Sequence, residues 1–315
     1  MADMQNTTPM TYEFKAFNTI NTVVAFTDDL TIPQRVDSLV KRYELLFSRT
    51  NPQSQLSRIN NALGKAVVVD PELAQFITLA LEYCKQSNGL FDITIGSVLR
   101  LWDFKGGVVP NEQSITDALR DVDYQAVHVE GASVRLNNPK ATIDLGGIAK
   151  GYIADKIIEM LSEHSVQSGL VNLGGNVMVL GEKPDGSAWN VGIRLPESSL
   201  YQAGDEAFAS LFVRDSSVVT SGIYERAFID QERLYHHILD PNTGYPAQTD
   251  LLGATIVSKK SLDGDGYSTT LIILGLERAI QFIEDRPGLE AVFVTTEGEV
   301  LATSAIGVDI PFVML

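Results

Sequence analysis

The chain has 315 residues, of which 44% are hydrophobic and 20% are charged, so it can bury a large core without disulfides. Its formal net charge of -16 repels the phosphates of nucleic acids and of anionic membrane surfaces, which argues against both as partners. The single cysteine, Cys84, excludes an intramolecular disulfide and a metal site built from several thiolates. A phosphorylated ligand would need a helix N-terminus, a lysine or a metal ion to offset the negative charge.

The first ten residues form a polar leader, 1–10, with neither an apolar signal region nor a cysteine for lipidation. No later run is apolar and long enough to span a bilayer, so we expect no stable membrane insertion and a cytoplasmic location. After the leader we find no low-complexity linker and no internal repeat. We therefore predict one compact domain over 11–315.

Strand and helix patterns alternate in the first third of the chain. Residues 19–26 have the β-branched composition of a strand, and 32–47 repeat apolar side chains at helical spacing. The polar segment 48–60 breaks that pattern and is expected to form a loop. A second helix is predicted to open at Asp70, a capping residue followed by proline, and to end before Gly89.

The rest of the chain mixes short strands with helices. A helix is predicted after Gly146 and Gly147, and a strand is predicted to run into Gly174 and Gly175. The remaining predicted strands are 189–193, 211–213, 218–220, 254–257, 291–295 and 300–303, and the remaining predicted helices are 265–274 and 277–284. Because there is no regular βαβ repeat, we predict an α+β fold with largely antiparallel sheets and packed helices.

The glycine pairs are candidate ligand-binding turns. Gly146 and Gly147 stand directly before a helix, where free backbone N–H groups can bind an anion and Lys150 adds a positive charge. The spacing matches neither a dinucleotide-binding fingerprint nor a P-loop. Taken alone, this segment is more typical of a tight strand-to-helix turn, and the pair Gly174 and Gly175 is more typical of a turn or bulge.

Two of the four histidines, His236 and His237, stand directly before a turn signal at 240–244. Neighbouring residues in a strand point to opposite faces, so the two are poorly placed to bind one metal ion together. At most one of them should face a site. A lone histidine is usually structural, so this pattern alone does not establish a functional role.

Asp265 and Thr269 are four residues apart and therefore lie on one face of a helix. A carboxylate and a hydroxyl are hard oxygen ligands suited to Mg²⁺, with water and ligand phosphates completing the coordination shell. The register of a calcium-binding EF-hand is missing. Taken alone, the pair is more typical of an aspartate that caps a helix and a threonine that packs.

Together and in this order, these segments resemble the ApbE family, the FAD:protein FMN transferases, from about Thr11 onward. The matching segments are 91–96, 101–102, 144–151, 171–176, 189–193, 220–226 and 236–246. The resemblance implies a compact, two-lobed ApbE-like (T-fold-like) architecture. It also implies an enzyme that cleaves FAD and attaches FMN to a threonine of an acceptor flavoprotein, with release of AMP.

The resemblance also implies roles for particular residues. Asp265 and Thr269 would bind Mg²⁺, with the carbonyl of Gly147 as the third protein ligand. His237 would act near the acceptor, as the base that takes the threonine proton. The residues implied to contact FAD are Leu90, Phe91, Asp92, Asp144, Lys150 and Ile238.

Two other functions would use the same residues. A Mg²⁺-dependent FAD pyrophosphatase would replace the threonine by water and release free FMN and AMP. A catalytically inactive relative would bind FAD and leave it intact. The chain departs from the family pattern at Phe17, Thr50 and Gln55, positions that the resemblance places around the flavin ring rather than the metal.

Overall fold

The computed structural model describes residues 8–197 and 202–315, so residues 1–7 of the predicted leader lie outside the described residues. Contacts divide the chain into two compact units. The first unit contains the described residues of Met1–Lys41, Ile148–Gly222 and Asp250–Leu315, and the second contains Arg42–Gly147 and Ile223–Thr249. The single domain over 11–315 stays a prediction.

The elements follow one another in mixed order along the chain. The strands are β1 (Met10–Ala16), β2 (Thr19–Ala25), β3 (Val67–Val68), β4 (Val127–Glu130), β5 (Ser133–Leu136), β6 (Gly169–Leu173), β7 (Asn176–Leu180), β8 (Trp189–Glu197), β9 (Gln202–Val213), β10 (Ser217–Gly222), β11 (Ala227–Asp230), β12 (Arg233–His236), β13 (Leu251–Ser258), β14 (Glu290–Thr295), β15 (Val300–Ala302) and β16 (Phe312–Met314). The helices are α1 (Ile32–Phe47), α2 (Gln55–Asn60), α3 (Pro71–Gln86), α4 (Gly96–Leu99), α5 (Glu112–Leu119), α6 (Ala149–Glu163), α7 (Ser261–Leu274) and α8 (Leu276–Glu284).

An eight-stranded sheet in the order β1-β2-β6-β7-β10-β13-β14-β15 forms the centre of the first unit. Every neighbouring pair in this sheet is antiparallel. Because side chains alternate between the faces of a strand, Val177 and Val218 point to one face while Asn176 and Ser221 point to the other. The valine face packs on the smaller sheet β16-β9-β8, and the other face packs on α6 and α7.

Two tight hairpins lie side by side at one end of this sheet. β6 and β7 are joined by Gly174 and Gly175, both with positive φ, which is the two-residue turn that suits the twist of a hairpin. A Cβ at Gly174 would lie 2.6 Å from Cγ2 of Thr19, so glycine is needed there. β1 and β2 are joined in the same way through Phe17 and Asn18, with φ of 53° and 61°.

The second unit contains the sheet β3-β5-β4, the hairpin β11-β12 and the helices α2 to α5. Its described core includes a cluster of buried side chains around Trp102. Trp102 Nε1 donates a hydrogen bond of 3.0 Å to the carbonyl oxygen of Gly244, and Leu239 is buried beside it. The turn after the paired histidines is thereby fixed to the segment that follows α4.

The predicted α+β class with largely antiparallel sheets is confirmed. The helices predicted over 32–47 and after Asp70 are present, and Asp70 caps α3 by accepting from Glu72 N at 2.9 Å. None of the helices among the described residues is long and apolar enough to cross a membrane.

The structure differs from the sequence predictions in several elements. The strand β1 precedes the predicted strand at 19–26 and was not predicted. The segment 48–60, expected to be a loop, contains α2, because Ser54 Oγ accepts from Ser57 N at 3.0 Å and caps it. The helix predicted over 265–274 begins one turn earlier, at Ser261.

Candidate functional site

Asp265 is a buried carboxylate in α7, with 7% of its surface exposed. Its Oδ2 accepts a hydrogen bond of 2.8 Å from the backbone N–H of Gly151, at the start of α6. Burial raises the pKa of Asp265, while the positive charge of Lys150 and the Gly151 N–H act in the opposite direction. A cation bound beside Asp265 would therefore favour its ionised form.

The first turns of α6 and α7 approach each other closely at Gly151. A Cβ at this position would lie 2.4 Å from the main-chain oxygen of Ser261 and 2.7 Å from Cβ of Asp265. Only glycine fits there without displacing backbone. Lys150, the neighbouring residue, is thus held beside Asp265, so the structure brings together these two residues that the sequence predicts for the site.

Asn176 of β7 connects this cluster to the central sheet. Ser261 Oγ donates a hydrogen bond of 2.5 Å to Oδ1 of Asn176, which lies in β7 and is 1% exposed. The side chain of Asn176 also lies beside the Asp265 carboxylate and opposes the rise of its pKa. Ser261 and Asp265 are therefore both tied to the central sheet through Asn176.

Thr269 lies one helical turn after Asp265 on α7 and is half-buried. Within the described parts of the chain, no group of three or more His, Cys, Asp or Glu side chains could hold a metal ion. A metal bound here would rely on one carboxylate together with hydroxyl, main-chain and water oxygens. That donor set fits Mg²⁺, which commonly keeps several waters and uses one or two carboxylates.

In the second unit, Asp144 organises the turn that carries the first glycine pair. Its Oδ1 accepts from Gly146 N at 2.7 Å, and its Oδ2 accepts from Arg49 Nε at 2.6 Å. The backbone N–H of Asp144 donates to the carbonyl oxygen of Ile93 at 2.7 Å. A Cβ at Gly147 would lie 3.2 Å from the ring of Phe91. The predicted residues Phe91, Asp144 and Gly147 are therefore neighbours.

Asp92 uses its carboxylate to hold this loop together. Oδ1 accepts from Thr94 N and Oγ1 at 2.7 and 2.6 Å, and Oδ2 accepts from Tyr124 N at 3.1 Å. Burial raises the pKa of Asp92, and these hydrogen bonds oppose that shift. Asp92 thus fixes the segment that presents the half-buried Leu90 and the buried Phe91.

The two neighbouring histidines have different environments. His236 ends β12, is 3% exposed, and makes a hydrogen bond of 3.0 Å between Nε2 and the carbonyl oxygen of Ala247. Burial lowers the pKa of His236 to about 4, so the ring is neutral near pH 7. His237 follows the strand end, is half-buried, and donates its backbone N–H to Arg226 O at 3.0 Å. His236 is thus packed in the interior of the protein, and His237 remains the candidate base.

Ile238, the next residue, is buried and accepts from Ala247 N at 2.9 Å through its carbonyl oxygen. His237 and Ile238 are positioned by the β11-β12 hairpin and the segment that returns to Ala247. The turn built by Asp144 is a separate part of the same unit. The roles assigned to these residues by resemblance stay predictions.

Two polar residues near the predicted site were not singled out from the sequence. Arg49 lies in the polar segment after α1, and no local pattern indicates its ion pair with Asp144. Asp155 lies four residues after Gly151, hence on the same face of α6, and this spacing could have indicated it. Burial and the charge of Asp263 raise the pKa of Asp155 to about 6. Two backbone N–H hydrogen bonds and the charge of Lys260 act in the opposite direction.

The chain is similar to proteins of one known family. The sequence pattern of the ApbE family matches residues 10–293. The FAD:protein FMN transferase of Treponema pallidum (strain Nichols) is 35% identical over 291 residues, covering 87% of this chain and 79% of the relative. The FAD:protein FMN transferase of Klebsiella pneumoniae (strain 342) is 36% identical over 284 residues, covering 89% of this chain and 87% of the relative.

Solved structures give the same result. The crystal structure of the ApbE protein from Thermotoga maritima has a TM-score of 0.86 at 29% identity and covers 95% of this chain and 98% of its own. The apo form of the flavinyl transferase ApbE from Pseudomonas stutzeri has a TM-score of 0.84 at 27% identity, with coverages of 95% and 96%. Since both the family pattern and these relatives span most of the sequence, the chain belongs to the ApbE family.

Proposed function

We propose that this protein is a Mg²⁺-dependent FAD:protein FMN transferase that attaches FMN to a threonine of an acceptor flavoprotein and releases AMP. The observation that carries the proposal is the buried Asp265 beside Lys150 at the start of α6. An acidic protein needs such a local device to bind a pyrophosphate. The names of the two relatives at 35% and 36% identity support the transfer of FMN from FAD to a protein.

The residues around Asp265 suit a divalent cation next to a pyrophosphate. Asp265 and Thr269 would supply side-chain oxygens, and the resemblance to the ApbE family implies the Gly147 carbonyl as the third protein ligand. When bound, the ion would neutralise phosphate charge and stabilise the negative charge that develops as the phosphoanhydride breaks. Lys150 adds a positive charge from the first turn of α6.

The transfer step conserves atoms and charge. The hydroxyl oxygen of the acceptor threonine attacks the FMN-side phosphorus of FAD, and the bond from that phosphorus to the bridging oxygen breaks. AMP leaves with the bridging oxygen. His237, a half-buried imidazole, takes the hydroxyl proton.

The remaining predicted residues would bind FAD in the second unit. Leu90 and Phe91 offer apolar contacts, and Asp92 holds them in place through its bonds to Thr94 and Tyr124. Asp144 would act through the glycine turn that it organises, and Ile238 would contribute apolar surface beside His237. The cytoplasmic location of enzyme and acceptor stays a prediction, which cell fractionation checks.

The proposal is tested by incubating the protein with FAD, Mg²⁺ and an acceptor flavoprotein, followed by intact-mass analysis of the acceptor. We expect the mass of one FMN group on the acceptor and one AMP released for each group attached. An acceptor variant with valine in place of the target threonine is the matched control and should gain nothing. An unmodified acceptor after complete cleavage of FAD would instead establish the pyrophosphatase, and intact FAD would establish a binding protein.

A further inference from the structure

The helices α6 and α7 lack capping side chains of their own. The residue before α6 is Ile148 and the residue before α7 is Lys260, and neither makes a side-chain capping hydrogen bond. The first N–H groups of a helix have no partner within the helix, so a buried helix start needs acceptors from elsewhere. In this protein each of the two helices obtains an acceptor from the other.

Asp265 of α7 accepts from Gly151 N in the first turn of α6, at 2.8 Å. In the reverse direction, Asp155 of α6 accepts from the N–H groups of the first two residues of α7. Its Oδ1 lies 2.7 Å from Ser261 N and its Oδ2 lies 3.0 Å from Leu262 N. We call Asp155 and Asp265 the crossed carboxylate pair. Because the contacts run in opposite chain directions, the two helices are antiparallel at this point.

This pair fixes the register of the two helices. A slide of α7 along α6 would break hydrogen bonds at both ends of the pair, and the close approach at Gly151 leaves no space for a side chain between the helices. Ser261 is also held to the sheet through Asn176. The carboxylate of Asp155 is thus one of the groups that determine where Asp265 lies relative to Lys150.

Asp155 itself is a poor candidate for a metal ligand or a proton donor in the reaction. Each of its two oxygens already accepts a backbone N–H of α7. An aspartate held in this way acts on the site through the helix it caps. Thr269 and Asp265 both belong to that helix, two and one turns beyond the capped residues.

We infer that Asp155 is a positioning residue for the predicted metal site, because it holds the first turn of α7 in register with the first turn of α6. The part of this inference that concerns metal affinity rests on the proposed function. The part that concerns the crossed carboxylate pair rests on the hydrogen bonds alone. The two parts can be tested separately.

The metal part is tested by titrating the protein with Mn²⁺ alone and following the free ion by electron paramagnetic resonance. We expect Asp155→Ala to raise the half-saturating Mn²⁺ concentration by about 10-fold or more, as is typical for residues that orient a ligand. Asp155→Glu, which keeps the carboxylate, should restore much of the affinity. Asp70→Ala is the matched control, because it removes an aspartate cap from α3, a helix without predicted site residues, and should leave Mn²⁺ binding unchanged.

The structural part is tested without metal, by hydrogen exchange of peptides that contain Gly151. Asp155→Ala should speed hydrogen exchange at Gly151, whose N–H is bonded to Asp265, the other member of the pair. Asp70→Ala should not change it. If wild-type protein bound no Mn²⁺ but showed this coupling, the metal proposal would fail and the crossed pair would stand. If wild-type protein bound Mn²⁺ and Asp155→Ala changed neither readout, the positioning role would be wrong. Asp155→Asn, which keeps one acceptor, replaces the alanine variant if that variant does not fold.

Discussion

Replacing Gly151 by alanine sets two known effects against each other. Alanine is favoured over glycine inside a helix by about 1 kcal/mol, which on its own would stabilise α6. The new Cβ would, however, lie 2.4 Å from the main-chain oxygen of Ser261, where ordinary contacts begin near 3.4 Å. Overpacking of a tight interior costs about 1–3 kcal/mol, and a backbone oxygen cannot rotate away, so the upper end applies. We expect a net loss of about 2 kcal/mol in the free energy of unfolding.

Urea unfolding followed by circular dichroism measures this loss, and Mn²⁺ titration measures its effect on the site. Because the methyl group would push Asp265 away from Gly151 N, metal binding should weaken as well. Gly264→Ala in α7 is a useful comparison, since its Cβ would meet a side-chain methyl of Val219 at 2.7 Å instead of backbone. It should be destabilised by less. A Gly151→Ala protein more stable than wild type, with unchanged Mn²⁺ binding, would refute the close approach of α6 and α7.

Three further changes probe the chemistry and the electrostatics. Asp265→Asn keeps the size of the side chain but removes its charge, so FMN transfer should collapse while circular dichroism shows a folded protein, and excess Mg²⁺ should rescue little. His237→Ala should lower the transfer rate by about 10²–10⁴-fold with FAD binding retained, whereas His236→Ala should mainly lower the melting temperature; the reverse pattern would contradict their assignment. The pKa of Asp155 is about 6 in the folded protein, against an ordinary value of 3.8 in the unfolded chain. At pH values between these two, the folded state therefore keeps a proton that the unfolded state has released. The free energy of unfolding should therefore fall by up to about 3 kcal/mol as the pH rises through this window, and Asp155→Asn should flatten that dependence in urea titrations at several pH values.

The elements that could be predicted from the sequence are those whose signals are local. α3 has its cap, its apolar face and its terminating glycine within one segment, and the glycine pair after β6 fixes a hairpin by its own backbone conformation. β1 was missed because the turn to β2 is made by Phe17 and Asn18, which do not form a standard turn signal. α2 was missed because six residues are too few for a helical period to be distinguished.

The same distinction holds for the candidate site. The spacing of Asp265 and Thr269 was visible in the sequence because both lie on one helix. The ion pair between Arg49 and Asp144 joins residues 95 positions apart, and the bond between Asp155 and Ser261 joins residues 106 positions apart. The local sequence around each of these residues does not indicate its partner, so only the folded chain reveals these two contacts.

The composition of α7 explains why its position depends so strongly on other elements. Two glycines, Gly264 and Gly266, lie in its first half, and glycine weakens an isolated helix. The helix is buried on most sides, and Ser268 Oγ lies 2.7 Å from Ser221 Oγ of the sheet. Tertiary contacts, together with the cap from Asp155, must therefore supply the stability that the sequence of α7 lacks. Such a helix can hold a buried carboxylate against the start of α6, and any change that loosens it should weaken both folding and the metal site.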